Sequence, residues 1–150
     1  MTQKSEFGIC PMAPGDLDEV MQLELQSFTA PWSRESLESD LRSPFARYFV
    51  LRKDGALLGY AGVHTLFGEM TIVSIASSPA ARRQGVAQAL LDHLFAAAKV
   101  GQVRVVLLEV REGNAAARAF YEKNGFAYVG RRPGYYERPV EDALLMTLEL

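Results

Sequence analysis

The run VRVVLLEV, residues 103–110, is apolar at every position except Arg104 and Glu109. A strand apolar on both sides of its pleat needs a packed layer on each face, which places it centrally in a sheet. Ahead of it, Ala87, Leu90, Leu91, Leu94 and Ala98 form one stripe at helical spacing, and Gly101 ends the pattern. Before that helix stands another β-rich run, MTIVSIAS. Strand, amphipathic helix, strand is the order of a crossover, so the two strands are expected to be parallel neighbours.

The elements around this crossover follow from spacing and turn chemistry. Leu17, Val20, Met21, Glu24 or Leu25, and Phe28 step along one helix, with Asp16 as its expected N-cap. TAPWS breaks that helix, and Ser33 caps a second one carrying Leu37 and Leu41. RYFVLRK and ALLGYAGVHTLF are joined by Asp54-Gly55, a type I′ hairpin signal, and Gly68-Glu69 marks the next turn. Asn114 caps a helix through AAARAFYEKN, Gly125 follows it, and FAYVG and DALLMTLEL close the sheet. Residues 1–150 contain no repeat or linker-like tract, so a single mixed α/β domain with an antiparallel N-terminal half is expected.

Composition removes several functions. Hydrophobic residues make up 49% of the chain, which excludes global disorder. A net charge of −2 gives no bulk attraction to nucleic acid. Cys10 is the sole cysteine, which excludes disulfides and thiolate metal sites and fits a reducing compartment. His64 falls in a strand and His93 on a helix without a second ligand one turn away, so no metal is expected. MTQKSEFGIC lacks the apolar core of a signal peptide, and no apolar run is long enough to span a bilayer. The expectation is a soluble cytoplasmic chain with no membrane and no direct nucleic-acid partner.

One local charge pattern remains. The segment RRQGVAQALLDHLFAAA opens a helix with two arginines, a glutamine and a glycine, where the helix dipole alone would favour Asp or Glu. Unpaired N–H groups at the helix start, with Gly85 allowing close backbone approach, make a cradle for phosphate or pyrophosphate. The nucleotide-binding P-loop and dinucleotide signatures are both absent.

The stretch Arg82-Arg83-Gln84-Gly85-Val86-Ala87 resembles the Q/R-x-x-G-x-G/A signature of the GCN5-related N-acetyltransferases, the GNAT superfamily. The resemblance runs along the whole chain. PWS, LEVREGNAAARAFYEKNGF and YYERPVEDALLM are similar to landmarks of its RimI-like branch, the ribosomal-protein-alanine N-acetyltransferases. Ala87 stands where many members carry glycine, and the segment from residue 136 to 141 is shorter than in some. The resemblance implies a GNAT fold with a partly splayed sheet flanked by helices. It implies acetyl-CoA as co-substrate, its pyrophosphate held by Arg82, Arg83, Gln84, Gly85, Val86, Ala87 and Gln88. Backbone groups of Ile75, Ala76 and Ser77 and the side chain of Asn114 are then expected along the pantetheine arm.

Within that resemblance Glu109 is the expected general base for the acceptor amine and Tyr121 the expected acid for the departing thiolate. Read without it, Glu109 is a strand-end carboxylate facing solvent or paired with Arg111, and Tyr121 a half-buried packing residue. Trp32, Tyr135 and Tyr136 are expected to line a peptide groove, with Glu141 and Asp142 holding a basic side chain. The implied acceptor is the α-amine of a protein N-terminus, most directly the alanine of small-subunit ribosomal protein eighteen, attacked in a ternary complex. The alternatives are a relative acetylating lysine ε-amines or a small amine, and a non-catalytic acyl-CoA-binding module.

Overall fold

The apolar run does stand inside a sheet, as the fifth of seven strands, with Val106, Leu108 and Val110 buried and the residues between them only partly so. The computed structural model describes residues 7–28 and 31–150; residues 1–6 and 29–30, which carry the start of the N-terminal reading and part of the TAPWS break, lie outside the described residues. Strand β1 (Gly8–Pro11) leads through a short 3-10 turn to helices α1 (Leu17–Ser27) and α2 (Arg34–Leu41). Strands β2 (Ala46–Lys53), β3 (Ala56–Leu66) and β4 (Glu69–Ser77) follow. Helix α3 (Val86–Val100), β5 (Val105–Arg111), helix α4 (Ala115–Lys123), β6 (Ala127–Tyr136) and β7 (Glu141–Glu149) complete the chain. The strands make one seven-stranded sheet in the order β1-β2-β3-β4-β5-β7-β6. β4 and β5 run parallel across the α3 crossover, and the other neighbouring pairs are antiparallel.

Over β2 and β3 both sheet faces are covered, so consecutive residues are buried, whereas β5 buries fully only its α3 face. In β2, Tyr48 and Val50 pack with Leu17, Val20, Leu23 and Leu37 of α1 and α2. The alternate residues Phe49 and Leu51 pack with Leu90, Leu91 and Leu94 of α3. The α3 stripe begins at buried Val86 rather than at half-buried Ala87, because the helix starts directly after Gly85. Each fully buried leucine of this stripe contributes about 1.5–3 kcal/mol.

Turns and caps follow local chemistry with a few displacements. Asp54 and Gly55 both adopt positive φ, 52° and 83°, as a type I′ turn requires. The next turn is centred on Phe67 and Gly68, at 51° and 79°, so Glu69 is the first rung of β4, opposite Leu66, rather than a turn residue. Ser33 and Asn114 cap α2 and α4, each accepting an N–H bond of 3.1 Å, from Ser36 and Ala117. Asp16 does not cap α1: its backbone is already helical, and its carboxylate accepts from the Ala13 N–H and Arg52, each at 2.8 Å. Gly125 takes positive φ after α4, whereas Gly101 does not, and Gln102 supplies the left-handed residue beyond α3. β1 was not expected from its short GICP run, and β6 continues past FAYVG through Pro133, which an edge strand tolerates.

The feature that makes a site is the parting of β4 from β5. They pair only over Glu69–Ile72 and Val105–Leu108, although β4 continues to Ser77 and β5 to Arg111. At the point of parting β4 carries a bulge: Gly62 pairs with Ser74 and Val63 with Ile72, leaving Val73 as the extra residue. A bulge bends its strand and increases the local twist, which turns β4 away from β5.

Candidate active site

The gap between the parted strands is a cleft of about 270 Å³. Ile72, Val73, Ser74 and Ile75 form its β4 wall, and residues 108–111 form its β5 wall. Asn114, Ala117 and Tyr121 border it from α4, and Phe28, Trp32 and Tyr136 complete its lining. Glu109 and Tyr121 therefore reach one cavity from successive elements. Beyond Ile72 the β4 edge has no β5 partner, so its peptide groups are open to an extended ligand. Of the expected Ile75, Ala76 and Ser77, Ile75 is on the cleft wall and the Ala76 side chain turns to the opposite core beside Tyr60; all three pair with β3 and none with β5.

Glu109 is three-tenths exposed, and its Oε2 lies 3.1 Å from Arg132 Nε. The ion pair is not aligned as a hydrogen bond, and this buried oxygen has no other partner among the described residues. Arg111 does not pair with Glu109. Its guanidinium bonds to the carbonyls of Glu137 and Pro139 and to Glu141, and it lies 4.4 Å from the Tyr136 ring centre. Burial, together with the neighbouring Glu109 carboxylate, pushes the Tyr136 hydroxyl up to about 12. Burial also pushes the Tyr121 hydroxyl up, with a smaller contribution from Tyr136. The Tyr121 ring is set by edge contacts with Phe120 and Phe126, at 5.2 and 5.5 Å between centres.

At the α3 start, Gly85 has φ +82°, and a Cβ there would meet nothing within 4 Å. The chain is thus turned by a conformation that favours glycine while the space in front stays open. Val86, Ala87 and Gln88 precede the first helical hydrogen bond, from Ala89 N–H to Gly85, and their N–H groups find no acceptor among the described residues. Arg82, Arg83, Gln84 and Gly85 are exposed, and Arg83 also has positive φ. The residues thus fit a phosphate-bearing ligand. The Gln88 side chain is not free for it: its amide is paired with Asp92 and, in both directions, with Asn124.

The aromatic expectations divide. Trp32 and Tyr136 line the cleft, whereas Tyr135 is exposed outside it, 5.8 Å from the Arg132 guanidinium. The acidic pair is engaged within the protein. Glu141 binds Arg111 of β5 and the Gly113 N–H beyond it, and Asp142 binds Arg131 and the Gly134 N–H of β6; neither carboxylate lines the cleft. Phe28, Ser74 and Arg132 were missed as site residues. Phe28 read as one more apolar helix position, Ser74 showed only as a polar residue in an apolar run, and Arg132 gave no signal. No group of three metal-ligating side chains occurs among the described residues.

The sequence model of the acetyltransferase (GNAT) family matches residues 17–126. The [ribosomal protein bS18]-alanine N-acetyltransferase of Escherichia coli (strain K12) is 34% identical over 137 residues, covering 90% of this chain and 92% of that protein. The N-alpha-acetyltransferase RimI of Mycobacterium tuberculosis (strain ATCC 25618 / H37Rv) is 36% identical over 137 residues, covering 87% and 85%. The crystal structure of the ribosomal-protein-S18-alanine N-acetyltransferase from Escherichia coli superposes with a TM-score of 0.90 at 32% identity, covering 96% of this chain and 94% of that one. The fold agrees with these likenesses, and the chain belongs to the acetyltransferase (GNAT) family.

Proposed function

We propose that this protein acetylates the N-terminal α-amine of a protein, with the alanine terminus of ribosomal protein bS18 as its foremost acceptor. The observation that carries the reading is the meeting of Glu109 and Tyr121 in one cleft beside an unpaired strand edge. The names of the relatives from Escherichia coli and Mycobacterium tuberculosis point to the same acceptor class.

Acetyl-CoA supplies the activated acetyl thioester. The N–H groups of Val86, Ala87 and Gln88, with Arg82, Arg83 and Gln84 around Gly85, hold its pyrophosphate, and the β4 edge through Ile75 to Ser77 and Asn114 border its arm. Glu109 takes a proton from the acceptor ammonium, freeing the nitrogen lone pair for direct attack. Tyr121 gives its hydroxyl proton to the departing sulfur; the raised affinity of that hydroxyl for its proton keeps it loaded over the working range. Trp32 and Tyr136 stand on the acceptor side and limit water.

An α-amine suits a single carboxylate base. Its pKa of about 7.7–8.0 leaves roughly a tenth neutral at pH 7, whereas lysine at about 10.4 leaves only a few parts in ten thousand. The test offers peptides beginning with the bS18 terminus, free or N-terminally blocked with an internal lysine, and reads CoA release and the modified site by mass spectrometry. Reaction of the free peptide alone supports the assignment. Equal reaction of the blocked peptide overturns it, and CoA binding without turnover favours the non-catalytic module.

A further inference from the structure

Glu24 sits on α1 with no exposed surface, and it is the one charged residue so buried among those described. A lone carboxyl in such a place is costly unless it is neutral and hydrogen-bonded. Burial raises its proton affinity, and the Tyr60 bond and the nearby Trp32 backbone offset this only in part. The Tyr60 hydroxyl, itself almost wholly buried on β3, donates to Glu24 Oε1. Tyr60 in turn accepts from Ser74 Oγ at 2.9 Å. The Trp32 N–H bears on the same carboxyl, although Oε2 completes no regular hydrogen bond.

The far end of this network is a cleft residue. Ser74 belongs to the β4 wall beside the bulge. The direction of the bonds also has a chemical result. With Glu24 accepting from Tyr60, and Tyr60 accepting from Ser74, the Ser74 proton is turned away from the cleft. Its oxygen then offers lone pairs to the cavity, an acceptor suited to an ammonium or peptide N–H. An apolar trio would fill the same volume without setting that polarity.

We propose that Glu24 is a positioning residue that acts through Tyr60 to hold Ser74 as a hydrogen-bond acceptor for the incoming amine or first peptide N–H. The proposal rests on the reading of the cleft as the acceptor site. Glu24 touches no substrate; it fixes the group that does.

The experiment measures KM for a bS18-terminus peptide and for acetyl-CoA separately, with melting temperatures, in Tyr60→Phe, Glu24→Leu and Glu24→Gln. Tyr60→Phe removes one oxygen and should raise peptide KM by roughly 3- to 10-fold, the range expected for one hydrogen bond. KM for acetyl-CoA should stay within about twofold, because the cradle at Gly85 lies on other elements. Glu24→Leu should match Tyr60→Phe, and the double variant should add little to either. Glu24→Gln keeps an acceptor for Tyr60 and should restore peptide KM toward the wild-type value. If Glu24→Leu does not fold, Tyr60→Phe alone still decides. An active wild type whose Tyr60→Phe variant melts lower but keeps its peptide KM overturns the positioning role alone. A wild type that acetylates no free N-terminus overturns the acceptor reading and this inference with it.

Discussion

Arg132 Nε stands 3.1 Å from Glu109 Oε2, across the intervening strand β7. Ala143 is paired with Arg132 on one side and Arg111 on the other, and its small side chain lets the arginine reach over it. The guanidinium is more than half exposed, so the pair is screened, and an approaching ammonium can compete for the same carboxylate.

Glu109→Gln keeps the shape of this side chain and removes the proton acceptor. Turnover with a saturating peptide should fall by something on the order of 10²–10⁴-fold near neutrality. Part of it should return as pH rises toward 9, where an α-amine is neutral without help. Rate profiles between pH 6 and 9.5 check this; a loss equally deep at both ends would remove Glu109 from the role of base.

Gly85→Asp places a carboxylate where the open helix start would meet phosphate oxygens. Acetyl-CoA affinity by calorimetry should drop by more than tenfold. Gly85→Asn carries the same backbone strain at positive φ without the charge, and should lose far less. Equal losses in the two variants would mean that strain, not repulsion, governs the site.

The crossover was legible because its signals are local: an apolar strand, a helical stripe ended by a glycine, and hydroxyl or amide caps at Ser33 and Asn114. The cradle was legible for the same reason, since a helix start and its glycine are neighbours in sequence. What could not be read depends on register between distant strands. The Arg132–Glu109 pair requires knowing that β7 lies between β5 and β6, and the engagement of Glu141 by Arg111 hides behind the same topology. The β4 bulge at Val73 leaves no mark in MTIVSIAS, yet it stands where the cleft opens.

His93 gives a stability test with a defined sign. Burial, aided by Arg47, lowers its proton affinity in the fold, where its ring meets Phe49 edge-on at 4.6 Å. The folded histidine thus resists a proton that the unfolded chain accepts below about pH 6.5. Stability from this residue is full above that pH and declines as pH falls toward the lower folded value, because unfolding takes up a proton there. In His93→Leu, the drop in melting temperature between pH 7.5 and 5.5 should be smaller than in wild type, as differential scanning calorimetry would show. An unchanged drop would place the acid sensitivity elsewhere.

Tyr121→Phe separates the acid from the packing residue. The phenylalanine keeps the contacts with Phe120 and Phe126, so the melting temperature should move little. The variant lacks only the hydroxyl proton for the departing sulfur, and turnover should fall by about 10²-fold or more. Burial holds that hydroxyl protonated well beyond neutral pH, so the deficit should be the same at pH 7 and pH 9. This is the opposite of the recovery expected for Glu109→Gln. Acetyl-CoA affinity should survive, because the cradle amides belong to α3 and not to α4. Near-normal turnover in a folded Tyr121→Phe protein would leave the tyrosine as a wall of the cleft and require another proton source for the thiolate.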